Sequence, residues 1–158
     1  MSGDASPVAL DLDGVLGDTW PLWRAWLEAT GGVLGLDPGA LPEDRAAAAA
    51  ELDARDAGNW RSLLERFGEE RIAVHLRRDA AVGEALRELA ARGSAIGVFT
   101  DAPEPLARVA LTHLGADRRV TALEAGAGAL ERLLARLGPE TAVLRTRGEL
   151  LEATRTTA

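Results

Sequence analysis

Asp11 and Asp13 lie two residues apart, after the apolar run Val8-Ala9-Leu10 and before Gly14. Side chains two positions apart in a strand share a face, and a turn at Gly14 aims both carboxylates into one pocket. Two adjacent carboxylates need a cation or a shared proton, because bare like charges repel strongly in a poorly solvated site. A hard divalent ion such as Mg²⁺ would meet that need and would also draw in a phosphate. One carboxylate could then attack phosphorus while the other moves a proton. The same residues also fit a plain strand followed by an Asp-Gly turn, with Asp13 in the turn and Asp11 as a cap. A second apolar run, Ala95-Ile96-Gly97-Val98-Phe99, ends at Thr100-Asp101. A hydroxyl and the N–H groups of a following helix suit a phosphate oxygen; Thr-Asp is equally an ordinary helix cap.

Positioning these residues requires short buried strands with a pocket at their carboxyl ends. From Asp79 onward the pattern alternates: helix 80–92, strand 95–99, helix 103–114, strand 119–123, helix 127–137, strand 141–144 and a short helix 148–154. Such alternation predicts an α/β fold with a parallel sheet between helical layers, a Rossmann-like three-layer arrangement. Ligands bind beyond the carboxyl ends of such strands. Between the first strand and residue 79, three helical patterns follow without any strand. They are Asp18 to Ala29, then a loop marked by Gly31, Gly32, Gly35, Pro38 and Gly39, then the alanine-rich 42–56, then 60–76. The expected division is a core of 1–17 and 79–158 and a helical insert of 18–78.

Composition narrows the chemistry. All 18 basic residues are arginine, and Lys, Cys and Tyr are absent. This excludes disulfides, thiolate metal sites, cysteine nucleophiles and Schiff-base lysines. Two histidines, His75 and His113, cannot build an all-His metal site. A formal charge of -7 argues against general nucleic-acid or anionic-membrane binding. No apolar run reaches membrane-spanning length and no secretory signal opens the chain, so a cytoplasmic protein is expected. Trp20, Trp23 and Trp26 recur every three residues; they would wall the active site or pack the insert helices, and Trp20, nearest Asp13, is the candidate substrate contact.

Together, Asp11-Leu12-Asp13-Gly14-Val15-Leu16-Gly17-Asp18-Thr19 and Val98-Phe99-Thr100-Asp101 resemble the first and second motifs of the haloacid dehalogenase (HAD) superfamily. The stretch 18–78 sits where many phosphatases of that superfamily carry a helical cap. The resemblance implies that Asp11 is the nucleophile forming an aspartyl-phosphate and Asp13 the general acid/base. It implies that Thr100, with Asp101, holds the phosphoryl group, and that Asp11, the Asp13 carbonyl and a later acid bind Mg²⁺. The third and fourth motifs depart from the pattern. Glu124 falls where a Lys or Arg belongs, Arg145 where the main acid belongs, and Glu149 near a second acidic position. Glu124 and Arg145 would form a reversed ion pair, or Arg145 would take the missing cation's role against Asp11 and phosphate. Two functions follow: a phosphohydrolase acting on a small phosphorylated metabolite, or a HAD-fold protein binding a ligand or partner without turnover. The chain also lacks the fifth core strand common in the family, an edge that a homodimer would cover.

Overall fold

The computed structural model describes residues 5–155. Four parallel strands, β1 (Val8–Asp11), β2 (Ile96–Thr100), β3 (Ala122–Ala125) and β4 (Ala142–Leu144), form one sheet in the order β3-β2-β1-β4. The insert contributes α1 (Trp20–Leu34), α2 (Arg45–Ala54) and α3 (Trp60–His75); α4 (Ala80–Ala91), α5 (Glu104–His113), α6 (Ala129–Leu137) and α7 (Arg147–Arg155) complete the chain.

Strand alternation divides the core by face. Val8, Leu10, Ile96 and Val98 join one apolar cluster with α4, α5 and α7, while Ala9, Phe99 and Ala122 pack on α6 across the sheet. The result is the expected three-layer α/β fold. After β3 the chain crosses to the opposite face through α6 and returns at the far edge as β4. That reversal places β1 centrally, with its carboxyl end at the topological switch point where ligand crevices form. Gly97 permits the close seating of α6, since a Cβ there would lie 2.6 Å from Leu133 Cδ1.

Two local expectations need correction. The glycine pair Gly31-Gly32 does not end α1, which runs to Leu34 and closes at Gly35 with φ 68°. Gly31 is buried against Leu36 and Pro38, so packing outweighs the low helix propensity of glycine. The third strand is Ala122–Ala125 instead of 119–123: Arg119 and Val120 both donate to the Ala116 carbonyl, keeping them in the turn after α5. Among the described residues no helix is long and apolar enough to cross a membrane.

Candidate active site

β1 ends at Asp11, and the chain turns at once through a wide π-helical turn, Leu12–Leu16, closed by the Gly17 N–H on the Leu12 carbonyl at 3.0 Å. The turn buries Leu12, Val15 and Leu16 and keeps both aspartates at the strand end. Gly14 is demanded by proximity: a Cβ there would sit 2.0 Å from the Arg145 carbonyl oxygen. The exits of β1 and β4 therefore touch backbone to backbone, which only glycine allows.

Asp11, Asp13, Trp20, Thr100, Asp101 and Arg145 line one open cavity of about 390 Å³, beside Phe99 and the loop before α6. The candidates from the first, second and fourth motifs are thus brought together. Asp11 Oδ1 accepts from the Asp13 N–H at 3.1 Å. Partial burial, and then the neighbouring Asp13 carboxylate, hold the Asp11 carboxyl above the usual carboxylate range; the Asp13 and Gly14 N–H groups and the Arg145 guanidinium pull the other way. The Arg145 guanidinium stands 5.5 Å from the Phe99 ring centroid.

Asp13 is held differently. Oδ1 accepts from the Thr19 N–H at 2.8 Å and the Thr19 hydroxyl at 2.5 Å, and Oδ2 accepts from the Thr100 hydroxyl at 2.9 Å and Arg45 Nη2 at 2.6 Å. Four donors occupy the sites a carboxylate offers. Thr100 in turn accepts from the Ala102 N–H at 3.1 Å, so its hydroxyl already serves as both donor and acceptor.

Arg45, at the head of α2, was not among the residues singled out from sequence. Its side chain is 0% exposed. Nη2 and Nε bond Asp101 Oδ1 at 2.6 and 3.1 Å, Nη1 bonds the Thr19 hydroxyl at 2.6 Å, and the guanidinium lies 4.2 Å from the Trp20 ring centroid. A signal for it existed. Arg45, Ala48 and Leu52 fall at i, i+3 and i+7, one helix face, and all three are buried.

The reversed pair is not formed. Glu124 accepts from Arg132 Nε at 2.7 Å and Arg136 Nη1 at 2.9 Å, both on α6, and these contacts hold its carboxyl below the usual range. Arg132 also bonds the Ala125 and Ala127 carbonyls, tying the β3–α6 loop to the helix. In-sequence cations satisfy Glu124 sooner than one from another loop. Glu149 is also engaged locally: its N–H donates to the Thr146 hydroxyl at 3.1 Å, and its carboxylate accepts from that hydroxyl at 3.3 Å, capping the start of α7. Asp11, Asp13 and Glu149 therefore form no ligand cluster; among the described residues, no group of three or more His, Cys, Asp or Glu could hold a metal ion. Of the other aromatics, Trp23 and Trp26 stack 5.3 Å apart and meet Trp60 of α3, with 6.0 Å between the Trp26 and Trp60 centroids, as insert core. His113 contacts the Leu76 carbonyl.

No protein-family model matches the chain, and no curated protein matches it. Solved structures do. A protein assigned as a β-phosphoglucomutase from Thermotoga maritima shares 19% identity at a TM-score of 0.55, over 95% of this chain and 82% of its own. CbbY from Rhodobacter sphaeroides, solved in complex with phosphate, shares 16% at a TM-score of 0.65, over 96% and 83%. Both belong to the HAD superfamily, and the fold of this chain is theirs.

Proposed function

We propose that the protein is a HAD-type phosphohydrolase acting on a small phosphorylated molecule, with Asp11 as the attacking group. The observation that carries this reading is the convergence of Asp11, Asp13 and Thr100 with Arg145 in one cavity at the strand ends. CbbY, of the same fold, was solved with phosphate bound. In this reading an Asp11 oxygen forms a bond to phosphorus while the ester P–O bond breaks, and the leaving oxygen takes a proton from water and departs as the alcohol. Water then cleaves the aspartyl-phosphate, releasing phosphate and restoring Asp11. Arg145 and Thr100 line the same cavity as Asp11, where the transferring oxygens would sit. Mg²⁺, expected from the motif resemblance, does not fit the donors present. Asp11 and the Asp13 carbonyl are two ligands, Arg145 takes the place of the acid, and Glu149 caps its own helix. Two copies pairing along an exposed sheet edge would fit the same reading, and light scattering would detect them.

A second reading, ligand binding without turnover, is favoured by Asp13 alone: its carboxylate is engaged by four donors of the protein itself, Thr19 twice, Thr100 and Arg45. An aryl phosphate separates the two, because its leaving group departs as a stable anion without help from Asp13. Hydrolysis abolished in Asp11→Asn and unchanged by chelator is the expected outcome. Phosphate binding with no hydrolysis above that control would establish the second reading instead.

A further inference from the structure

Two arginine doublets, Arg77-Arg78 where the insert returns to the core and Arg118-Arg119 after α5, each give their second member to one cavity of about 270 Å³. Arg87 of α4 joins them, and this cavity shares no lining residue with the one at the strand ends. Its floor is apolar, formed in part by the buried Leu16, Val82 and Leu86. Among the described residues it has one carboxylate, Asp79, which already accepts from Arg147 and from the Ala81 and Val82 N–H groups. Three cations thus face one spent acid, in a chain whose formal charge is -7.

Among the described residues none of the three arginines forms an ion pair. Acids stood within reach. Glu84 precedes Arg87 by three residues, a spacing at which helical ion pairs form. Arg87 Nη1 lies instead 3.8 Å from the place a Cβ on Gly83 would occupy, and Gly83 lines the cavity. Arg78 donates from Nε to the His113 carbonyl at 3.0 Å, which sets its guanidinium over Gly115, where a Cβ would stand 3.1 Å from Cζ. That bond leaves the Nη donors of Arg78 for another acceptor. Arg119 is half-buried. Like charges gathered at one cavity repel, and a surface shaped for solubility alone would intersperse the two signs. The planar fork of a guanidinium fits carboxylate and phosphate oxygens, and the apolar floor suits a carbon skeleton.

We propose that this cavity is a second binding site, for a small organic anion bearing two or more carboxylate or phosphate charges. Arg78, Arg87 and Arg119 hold the charged groups, and the carbon skeleton rests on Leu16, Val82 and Leu86. Leu16 ends the turn that carries Asp11 and Asp13, so the occupant lies against that turn and outside the Asp11 cavity. The assignment stands whether or not Asp11 attacks phosphorus.

The test is an NMR titration of the full chain with citrate and with phosphonoacetate, at constant ionic strength and with acetate as the singly charged control. Saturable shifts should centre on the amides of Gly83, Arg87, Gly115 and Arg119, and not on Gly126 and Gly128 of the strand-end cavity. Arg87→Gln and Arg119→Gln should each weaken citrate binding about tenfold. Arg118→Gln removes the same charge next door, outside the cavity, and should change it by less than about twofold. Neither Arg87 nor Arg119 has a side-chain partner among the described residues, so both variants should melt with the parent, and a loss of binding is then a loss of the site. The tighter of the two probes identifies the preferred charged group. Equal weakening by Arg118→Gln would reduce the effect to general attraction and overturn the proposal. Shifts centred on Gly126 and Gly128, or no saturable binding of either probe, would overturn it as well.

Discussion

Asp11 keeps a carboxylate where the fold disfavours one. Partial burial and the Asp13 charge raise its affinity for a proton, so its folded pKa lies above the unfolded value. With that sign, ionised Asp11 weakens the folded state above the folded pKa, and the penalty fades as pH falls from the folded pKa toward the unfolded one, below which it is gone. Asp11→Asn keeps the acceptor for the Asp13 N–H and removes the charge. The variant should therefore melt higher than the parent at pH 7, with the gap closing toward about pH 3; thermal melts across that range check it, and a lower melting temperature at pH 7 would contradict the assignment. A residue that costs stability and aims into a cavity is a mark of function. Asp11, Asp13 and Thr100 were legible in sequence because a strand end and a turn fix them locally. Arg45 was not, because its partners lie 32 and 56 positions away and its helix begins an alanine tract that looks solvent-facing. Of the two alternatives for Arg145, the pair with Glu124 does not form, because α6 offers Glu124 two arginines nearer in sequence.

Between elements, legibility followed how far local chemistry decides the outcome. The starts of α2 and α4 were readable because Asp44 and Asp79 accept from N–H groups of their own first turns. β3 was displaced because its position depends on pairing: Gly97 faces Ala122 and Thr100 faces Ala125, a register set by β2 and invisible in the strand's own residues. The seat of α6 depends on an absence, since a Cβ on Gly97 would meet Leu133 Cδ1 at 2.6 Å and Leu137 Cδ1 at 2.8 Å. Alanine has the better strand propensity, yet Leu133 is fully buried and cannot swing away. Gly97→Ala should thus destabilise by about 1–3 kcal/mol, the usual cost of overpacking. Leu133→Val in the same chain should recover part of it in a denaturant-based double-mutant cycle; additive effects would mean that the strand and not the contact is at fault.

Across the whole molecule, the insert and the sheet share one interior. A single apolar cluster runs from Trp23, Trp26 and Trp60 through Leu64 and Ile72 to Leu106, Ala110 and the strands, while Arg45 ties α2 to the ends of β1 and β2. Helix α3 lies along α5, where Gly68 brings the backbones close enough for a Cβ to meet Val109 at 3.5 Å. With that shared interior, the division expected at 17/18 and 78/79 is predicted to be one of chain and not of folding unit. The sequence supplies its own probe of this, for its four tryptophans, Trp20, Trp23, Trp26 and Trp60, all fall within 18–78. Fluorescence reports the insert alone, whereas far-ultraviolet ellipticity reports helices throughout. The two denaturation curves should coincide, as one cooperative unit requires. An earlier fluorescence transition would mean that the insert melts by itself.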